Sequence, residues 1–272
     1  MAETVGELLR LTALQKDFYA TNGYLCLDSA TSIDEISRVR RIIEDLMARR
    51  VGEVRGDRLD VVGTDEPGAE EKSPQMLMPC NYAPELTGRL HDDARAIAAE
   101  LLGSEFAPEG EHVIMKPALT GPATPLHQDE AFWSAETDYC SLSIWFPLGD
   151  VTGESGCMRF VPGSHRRGIV PHHSVNDDPR NNGLEVCAAE SFDVVHAPLP
   201  AGGATVHHCR TIHGAAANRS GQSRYAYILG FGLRAQRSME ERDFSWQKGR
   251  VLRREMQARA GGYELTKMHP EL

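Results

Sequence analysis

The chain has 272 residues, of which 41% are hydrophobic and 25% charged, an ordinary globular mixture that excludes chain-wide disorder. Its net charge of −10 and pI near 5.6, with no dense Lys/Arg run, argue against a nucleic-acid surface. No apolar stretch reaches membrane-spanning length, Met1-Ala2-Glu3-Thr4 does not open a secretory leader, and Cys26, Cys80, Cys140, Cys157, Cys187 and Cys209 contain no Cys-x-x-Cys pair. Reduced thiols, a cytoplasmic location and no membrane partner are therefore expected.

The first hundred residues read mostly as helix. A helix over Leu11 to Asn22, closed by Gly23, leads into a short strand Tyr24 to Leu27. Ser32 and Glu35 make a capping-box start for a second helix, with Ile36, Val39, Ile43 and Leu46 on one face. Pro84 to Leu102 predicts a third, with Leu86, Leu90, Ala94, Ile97 and Leu101 in one stripe and a stop at Gly103. Between the second and third lies Gly52 to Ser73, rich in Gly, Asp and Glu, readable as a lid or as a solvated loop.

From Val113 onward short alternating runs take over. In Ser141 to Phe146, the face of Leu142, Ile144 and Phe146 suits packing on helices, while Ser141, Ser143 and Trp145 suit the inside of an open barrel. Thr205, His207, Cys209, Thr211 and His213 share one face of a run, and Arg224 shares its face with Ala226, Ile228 and Gly230. Gly168 to Asp193 is a long polar connection, read as an elaborated loop between the barrel's halves and a candidate for shaping substrate entry, and the charged tail from Arg237 to Ala260 predicts terminal helix packed on the barrel or on another subunit. No composition break argues for two domains. One domain over 1–272 is expected, helical to about 105, a barrel over about 106–235, and a helical tail from about 236.

His127-Gln128-Asp129 followed by His213 is the pattern that bears on chemistry. Residues i and i+2 of an extended strand point to one face, so His127 and Asp129 project together. With His213 from a neighbouring strand, two imidazoles and one carboxylate cover one face of a metal's coordination octahedron and leave the other open, as in non-haem Fe(II) oxygenases. A zinc hydrolase with three ligands and a water is the competing metal reading.

Ile144-Trp145-Phe146-Pro147-Leu148, the run Gly156 to His165 with Pro162-Gly163-Ser164-His165, and Ile212-His213-Gly214 continuing to Ser220 with Arg224 occur in an order and spacing that resemble the phytanoyl-CoA dioxygenase family, over about residues 12 to 233. The resemblance implies a mainly β fold with flanking helices: a double-stranded β-helix, a jelly-roll or cupin-like barrel braced by N-terminal helices. It implies Fe(II), 2-oxoglutarate and O2 as cofactors, and His127, Asp129 and His213 as catalytic metal ligands. Oxidative decarboxylation of 2-oxoglutarate to succinate and CO2 would then drive hydroxylation or another oxidation. An intact Asp129 favours this over halogenation, because related halogenating enzymes carry Gly or Ala there.

The cosubstrate's second carboxylate needs a cation, and a guanidinium offers a planar bidentate partner. The family's anchor sits at the spacing of Arg224 from His213, whereas Arg219 reads as a surface group. Trp145 matches a tryptophan lining the cosubstrate pocket, or equally fills the barrel, and His112 is a further candidate for that pocket. Some members have a serine where this chain has Ala215, so Thr205, Thr211 or a tyrosine would have to compensate. Phe132 and Trp133 read as pocket walls or as packing; His172, His173 and His196 as surface groups; His165 as part of a structural turn. With only Arg166-Arg167 and the C-terminal arginines to meet coenzyme A phosphates, a free small-molecule substrate is expected. An acyl-CoA 2-hydroxylase and a catalytically silent jelly-roll binding protein are the alternatives, and a homodimer is left open.

Overall fold

The computed structural model describes residues 9–66 and 68–264, so Met1-Ala2-Glu3-Thr4 lies outside the described residues. In chain order the elements are α1 (Ala13–Asn22), β1 (Tyr24–Leu27), α2 (Ile33–Ala48), β2 (Arg58–Asp60), β3 (Pro74–Leu77), α3 (Arg89–Leu102), β4 (Ala107–Lys116), β5 (Thr124–His127), β6 (Thr137–Asp138), β7 (Ser141–Pro147), β8 (Met158–Phe160), β9 (His172–Ser174), β10 (Leu184–Val186), β11 (Val195–Ala197), β12 (Ala204–His208), β13 (His213–Ala215), β14 (Arg224–Gly232), β15 (Gln236–Arg237) and α4 (Arg253–Ala260).

Local chemistry sets the helix ends. Thr12 caps α1 in a reciprocal box with Gln15, and the helix stops at Gly23 with φ of 78°, where a Cβ would lie 2.3 Å from His165 Nδ1. Ser32 caps α2 by accepting the Glu35 amide at 3.2 Å, but the expected return bond is replaced. The Glu35 carboxylate instead takes Arg38 at 2.7 Å and the Leu90 amide at 3.0 Å, and so serves the start of α3. The helix expected from Pro84 to Leu102 is accordingly two pieces, a 3-10 turn Pro84–Leu86 and α3. Arg38 bonds the Glu85 and Leu86 carbonyls at 2.6 and 3.2 Å, removing acceptors that a continuous helix would use internally.

The major sheet runs β1-β12-β7-β14-β4-β3-β2 and the minor sheet β11-β8-β13-β5, with antiparallel pairing throughout. The period of two in β7 divides the core as the alternation predicts. Leu142, Ile144 and Phe146 pack outward with Ile36, Val39 and Ile43 of α2 and Leu90, Ala94 and Ile97 of α3. Trp145, Ala226 and Ile228 face inward in one cluster with Met158, Phe160 and Ala215 of the minor sheet. Two facing antiparallel sheets braced by helices on one side form the expected jelly roll, although the sheets remain separate rather than closing into one barrel.

Three stretches differ from their sequence patterns. Gly52 to Ser73 is more than a plain loop: it contains β2 at the edge of the major sheet, and Asp60 accepts the Val62, Lys72 and Ser73 amides at 3.1, 2.7 and 3.1 Å. Gly168 to Asp193 contains the β9–β10 hairpin, and Asn181 and Asn182 donate to the Val62 and Asp60 carbonyls at 2.9 Å each. The two polar stretches are thus knitted together by side-chain to backbone bonds, which leave no apolar period. The run from Thr205 to His213 is broken by a turn into β12 of one sheet and β13 of the other.

The tail packs on the barrel as expected, Trp246 and Gln247 donating to the Ala131 carbonyl at 3.0 and 2.8 Å. Among the described residues no helix is long and apolar enough to cross a membrane, and all six thiols are free.

Candidate active site

His127 closes β5 and His213 opens β13, and the antiparallel register sets them directly opposite each other, their rings 4.4 Å apart between centroids. Asp129 does not lie on the strand. The chain stays extended only through Gln128, and Asp129 begins a 3-10 turn to Phe132. The buried Gln128 amide holds this corner from behind, donating to the Gly168 and Arg210 carbonyls at 2.8 and 2.7 Å and accepting the Val170 amide at 2.9 Å. Ligand atoms of His127, Asp129 and His213 all lie within 4.8 Å of one another.

Both imidazoles are oriented by one device. Nδ1 of His127 donates to the Pro125 carbonyl at 2.9 Å and Nδ1 of His213 to the Thr211 carbonyl at 2.8 Å. That fixes the tautomer and leaves each Nε2 lone pair facing Asp129 Oδ1, at 3.7 and 3.5 Å. Burial pushes both rings below the usual imidazole range. Burial alone would raise Asp129, but His213, His207 and His127 around it outweigh that and hold its carboxyl well below the usual range. Neutral imidazoles and an ionised carboxylate are the protonation states a divalent metal requires. Asp129 Oδ2 is further steadied by Ser143 Oγ at 3.1 Å and His207 Nε2 at 3.5 Å.

His172 is the clearest correction. Instead of lying on the surface it is buried, with Nδ1 donating to the Val170 carbonyl at 2.7 Å and Nε2 accepting the Gln128 amide at 3.2 Å. Only the neutral ring can do both, and burial lowers its pKa from 6.5 to about 4. Because the folded value lies below the unfolded one, the stability it contributes is intact above about pH 6.5 and lost as pH falls toward 4. Burial holds His112 and His208 near 4 as well. The urea midpoint should therefore drop between pH 6.5 and 4, with a shallower slope in His172→Gln; an unchanged slope would show that His172 is not held neutral.

A second cluster lies where an acid would be held. Arg224, the first residue of β14, is buried with Nε and Nη1 lacking any partner, and its guanidinium sits 5.4 Å over the Trp145 ring. Burial lowers its pKa to about 10, so it stays charged at neutral pH. Lys116 faces it across the β14–β4 register, fully buried, its ammonium donating to the Pro122 carbonyl. Burial, with Arg224 and Arg159 nearby, pushes this lysine well below its usual range. Arg159 on β8 donates to the Thr124 carbonyl at 3.2 Å. Among the described residues none of these three basic groups forms an ion pair with a carboxylate; Lys116 and Arg224 are buried and Arg159 is half-buried, and a buried, unpaired guanidinium of this kind calls for an anionic ligand.

Trp145 and Thr205 are register partners on the inner face, both buried, and the Thr205 hydroxyl has no partner. Thr211 is excluded as a substitute for the missing serine, because its hydroxyl donates to the Gly23 carbonyl at 2.6 Å. Nδ1 of His112 and of His207 are likewise buried without partners. Phe132 meets His127 edge-on at 5.8 Å, whereas Trp133 turns to Tyr139 at 4.9 Å. Arg219 and His196 are exposed, and His165 bonds the Ala20 carbonyl at 3.2 Å, as their plain readings predict.

Sequence reasoning missed Lys116 and the role of His207. His207 had a signal, since it shares a strand face with Thr205, but Lys116 becomes visible only once β4 and β14 are paired.

The phytanoyl-CoA dioxygenase (PhyH) family model matches residues 19–226. L-proline trans-4-hydroxylase of Streptomyces griseoviridis is 30% identical, covering 78% of this chain and 82% of that protein. Phytanoyl-CoA dioxygenase of Arabidopsis thaliana is 25% identical over 80% of this chain and 88% of its own length. Among solved structures, EvdO2 from Micromonospora carbonacea var. aurantiaca complexed with 2-oxoglutarate superposes with a TM-score of 0.74 and 29% identity, covering 89% of this chain and 99% of that one.

Proposed function

Since the chain belongs to the phytanoyl-CoA dioxygenase family and is an Fe(II)- and 2-oxoglutarate-dependent dioxygenase, we propose that it hydroxylates a free small organic substrate, with His127, Asp129 and His213 holding the metal and Arg224 the cosubstrate. The observation that carries this reading is the pairing of the converging His/Asp/His atoms with a buried guanidinium that has two unpartnered nitrogens. Iron with 2-oxoglutarate and O2 supplies the oxidising chemistry when bound.

The chain's own residues do the positioning. Arg224, with the field of Lys116 and Arg159 behind it, takes the cosubstrate's distal carboxylate as a charge-assisted pair. Trp145 walls that pocket, and the Thr205 hydroxyl serves in place of the serine lost at Ala215. The Pro125 and Thr211 carbonyls fix the two imidazoles, and Ser143 with His207 fixes Asp129 Oδ2. Holding these groups in advance is what makes a charged site effective inside a low-dielectric interior. The first hundred residues and the tail brace the barrel, and the whole chain acts as one domain.

A small free acid fits the substrate side. Phe132 borders His127, and Arg250 lies over the Phe132 ring at 5.8 Å with a buried Nε that has no partner. The relative whose name specifies L-proline is consistent with such a substrate. By contrast Arg166 and Arg167, the basic pair available to phosphates, are exposed at a turn. Succinate release should rise in step with oxidation of free amino or carboxylic acids and be unaffected by acyl-CoA thioesters. Coupled turnover on an acyl-CoA alone would overturn the substrate assignment.

A further inference from the structure

On the opposite face of the major sheet from the iron site, four groups from four segments meet beneath α3. Glu111 precedes His112 on β4 and so points to the other side of the sheet. Tyr227 rises from β14, His91 comes from the first turn of α3, and Cys80 from a 3-10 turn, Pro79–Asn81, that follows Met78 in a left-handed conformation with φ of 47°. Strained backbone of this kind persists only where its surroundings hold it. Here the Met78 and Cys80 amides are tied to the Glu111 carbonyl and carboxylate, each at 2.9 Å.

The contacts are more than an ion pair needs. His91 Nε2 lies 3.0 Å from Glu111 Oε2, 3.7 Å from Cys80 Sγ and 3.3 Å from the Tyr227 hydroxyl. The hydroxyl lies 2.7 Å from Glu111 Oε2 and 3.5 Å from Cys80 Sγ. One ring nitrogen carries a single hydrogen or a single lone pair and cannot satisfy three such neighbours at once, whereas one cation can. Ligands about 2.0–2.3 Å from a tetrahedral zinc stand roughly 3.3–3.8 Å apart; His91 Nε2 stands at such a distance from Cys80 Sγ, 3.7 Å, and nearer to Glu111 Oε2, 3.0 Å. The Cys80, His91 and Glu111 ligand atoms all lie within 4.8 Å of one another.

We propose that Cys80, His91 and Glu111 form a second metal site, separate from the iron centre, that takes a thiolate-preferring divalent ion of the zinc class, with the Tyr227 hydroxyl orienting Glu111 by donating to it. A thiolate, an imidazole and a carboxylate are ligand types that suit zinc and supply three of its four tetrahedral positions. The site is structural: it ties the 3-10 turn and the helix layer to β4 and β14, directly behind His112.

Cobalt(II) titration of the metal-free full-length protein tests this. The His/Asp/His site offers no sulfur, so a near-ultraviolet thiolate-to-cobalt charge-transfer band reports only on a cysteine-bearing site. Wild type should show that band and take up a second equivalent of metal. His213→Ala should keep the band, whereas Cys80→Ser and Glu111→Gln should lose the band and that equivalent while retaining the first. Absence of the band in wild type, its survival in folded Cys80→Ser, or its loss in folded His213→Ala overturns the proposal. The wild-type measurement decides even where a variant does not fold.

Discussion

Asp129→Ala is expected to lose iron and turnover together. Outer-shell changes at metal sites already cost about 10- to 100-fold in affinity or activity, and Asp129 supplies the site's single carboxylate, so iron retained after desalting should fall by more than about a hundredfold. Asp129→Asn keeps the shape and removes the charge, and it should fail in the same way, separating a ligand role from a packing role. The surrounding histidines outweigh burial and hold this carboxylate below its usual range, so both variants should also lose some stability, and a urea midpoint taken alongside shows that each is folded. Near-normal iron retention and succinate release in either variant would contradict the ligand assignment.

Arg224→Ala should chiefly raise the requirement for 2-oxoglutarate. Truncating one partner of a buried charge pair costs about 2–5 kcal/mol, which is roughly 30-fold to several thousand-fold in affinity. Arg224→Lys should recover only part of it, since an ammonium cannot reproduce the planar fork. A second consequence has the opposite sign. Without cosubstrate the guanidinium is buried with two unpartnered nitrogens, so Arg224→Met should raise the urea midpoint of the cosubstrate-free protein. An unchanged 2-oxoglutarate requirement in Arg224→Ala, measured by succinate release at saturating iron, would assign the anchor to Lys116 or Arg159 instead.

How much of this was legible in the sequence depends on whether the information was local. Gly23 as a helix stop, Ser32 as a cap and the two faces of β7 follow from neighbours a few residues apart, and they appear as expected. The His127–Asp129 pair was legible as a spacing, although the 3-10 turn that carries Asp129 was not, because it depends on Gln128 bonding to segments 40 and 82 residues away. His172 looked like a loop histidine because the groups that meet its ring, the Gln128 backbone amide and the Trp246 ring, come from distant parts of the chain and leave no local apolar period. Lys116 was invisible for a related reason: its meaning lies in its register partner Arg224, which only the β14–β4 pairing supplies.

The most direct measurement is an anaerobic titration of the purified protein with Fe(II) and then 2-oxoglutarate, following the weak visible charge-transfer band of the metal–cosubstrate chelate. The band should develop in wild type, require far more 2-oxoglutarate in Arg224→Ala, and be absent in Asp129→Ala. Bound iron with no band in wild type at saturating 2-oxoglutarate would contradict the joint assignment of metal face and acid anchor.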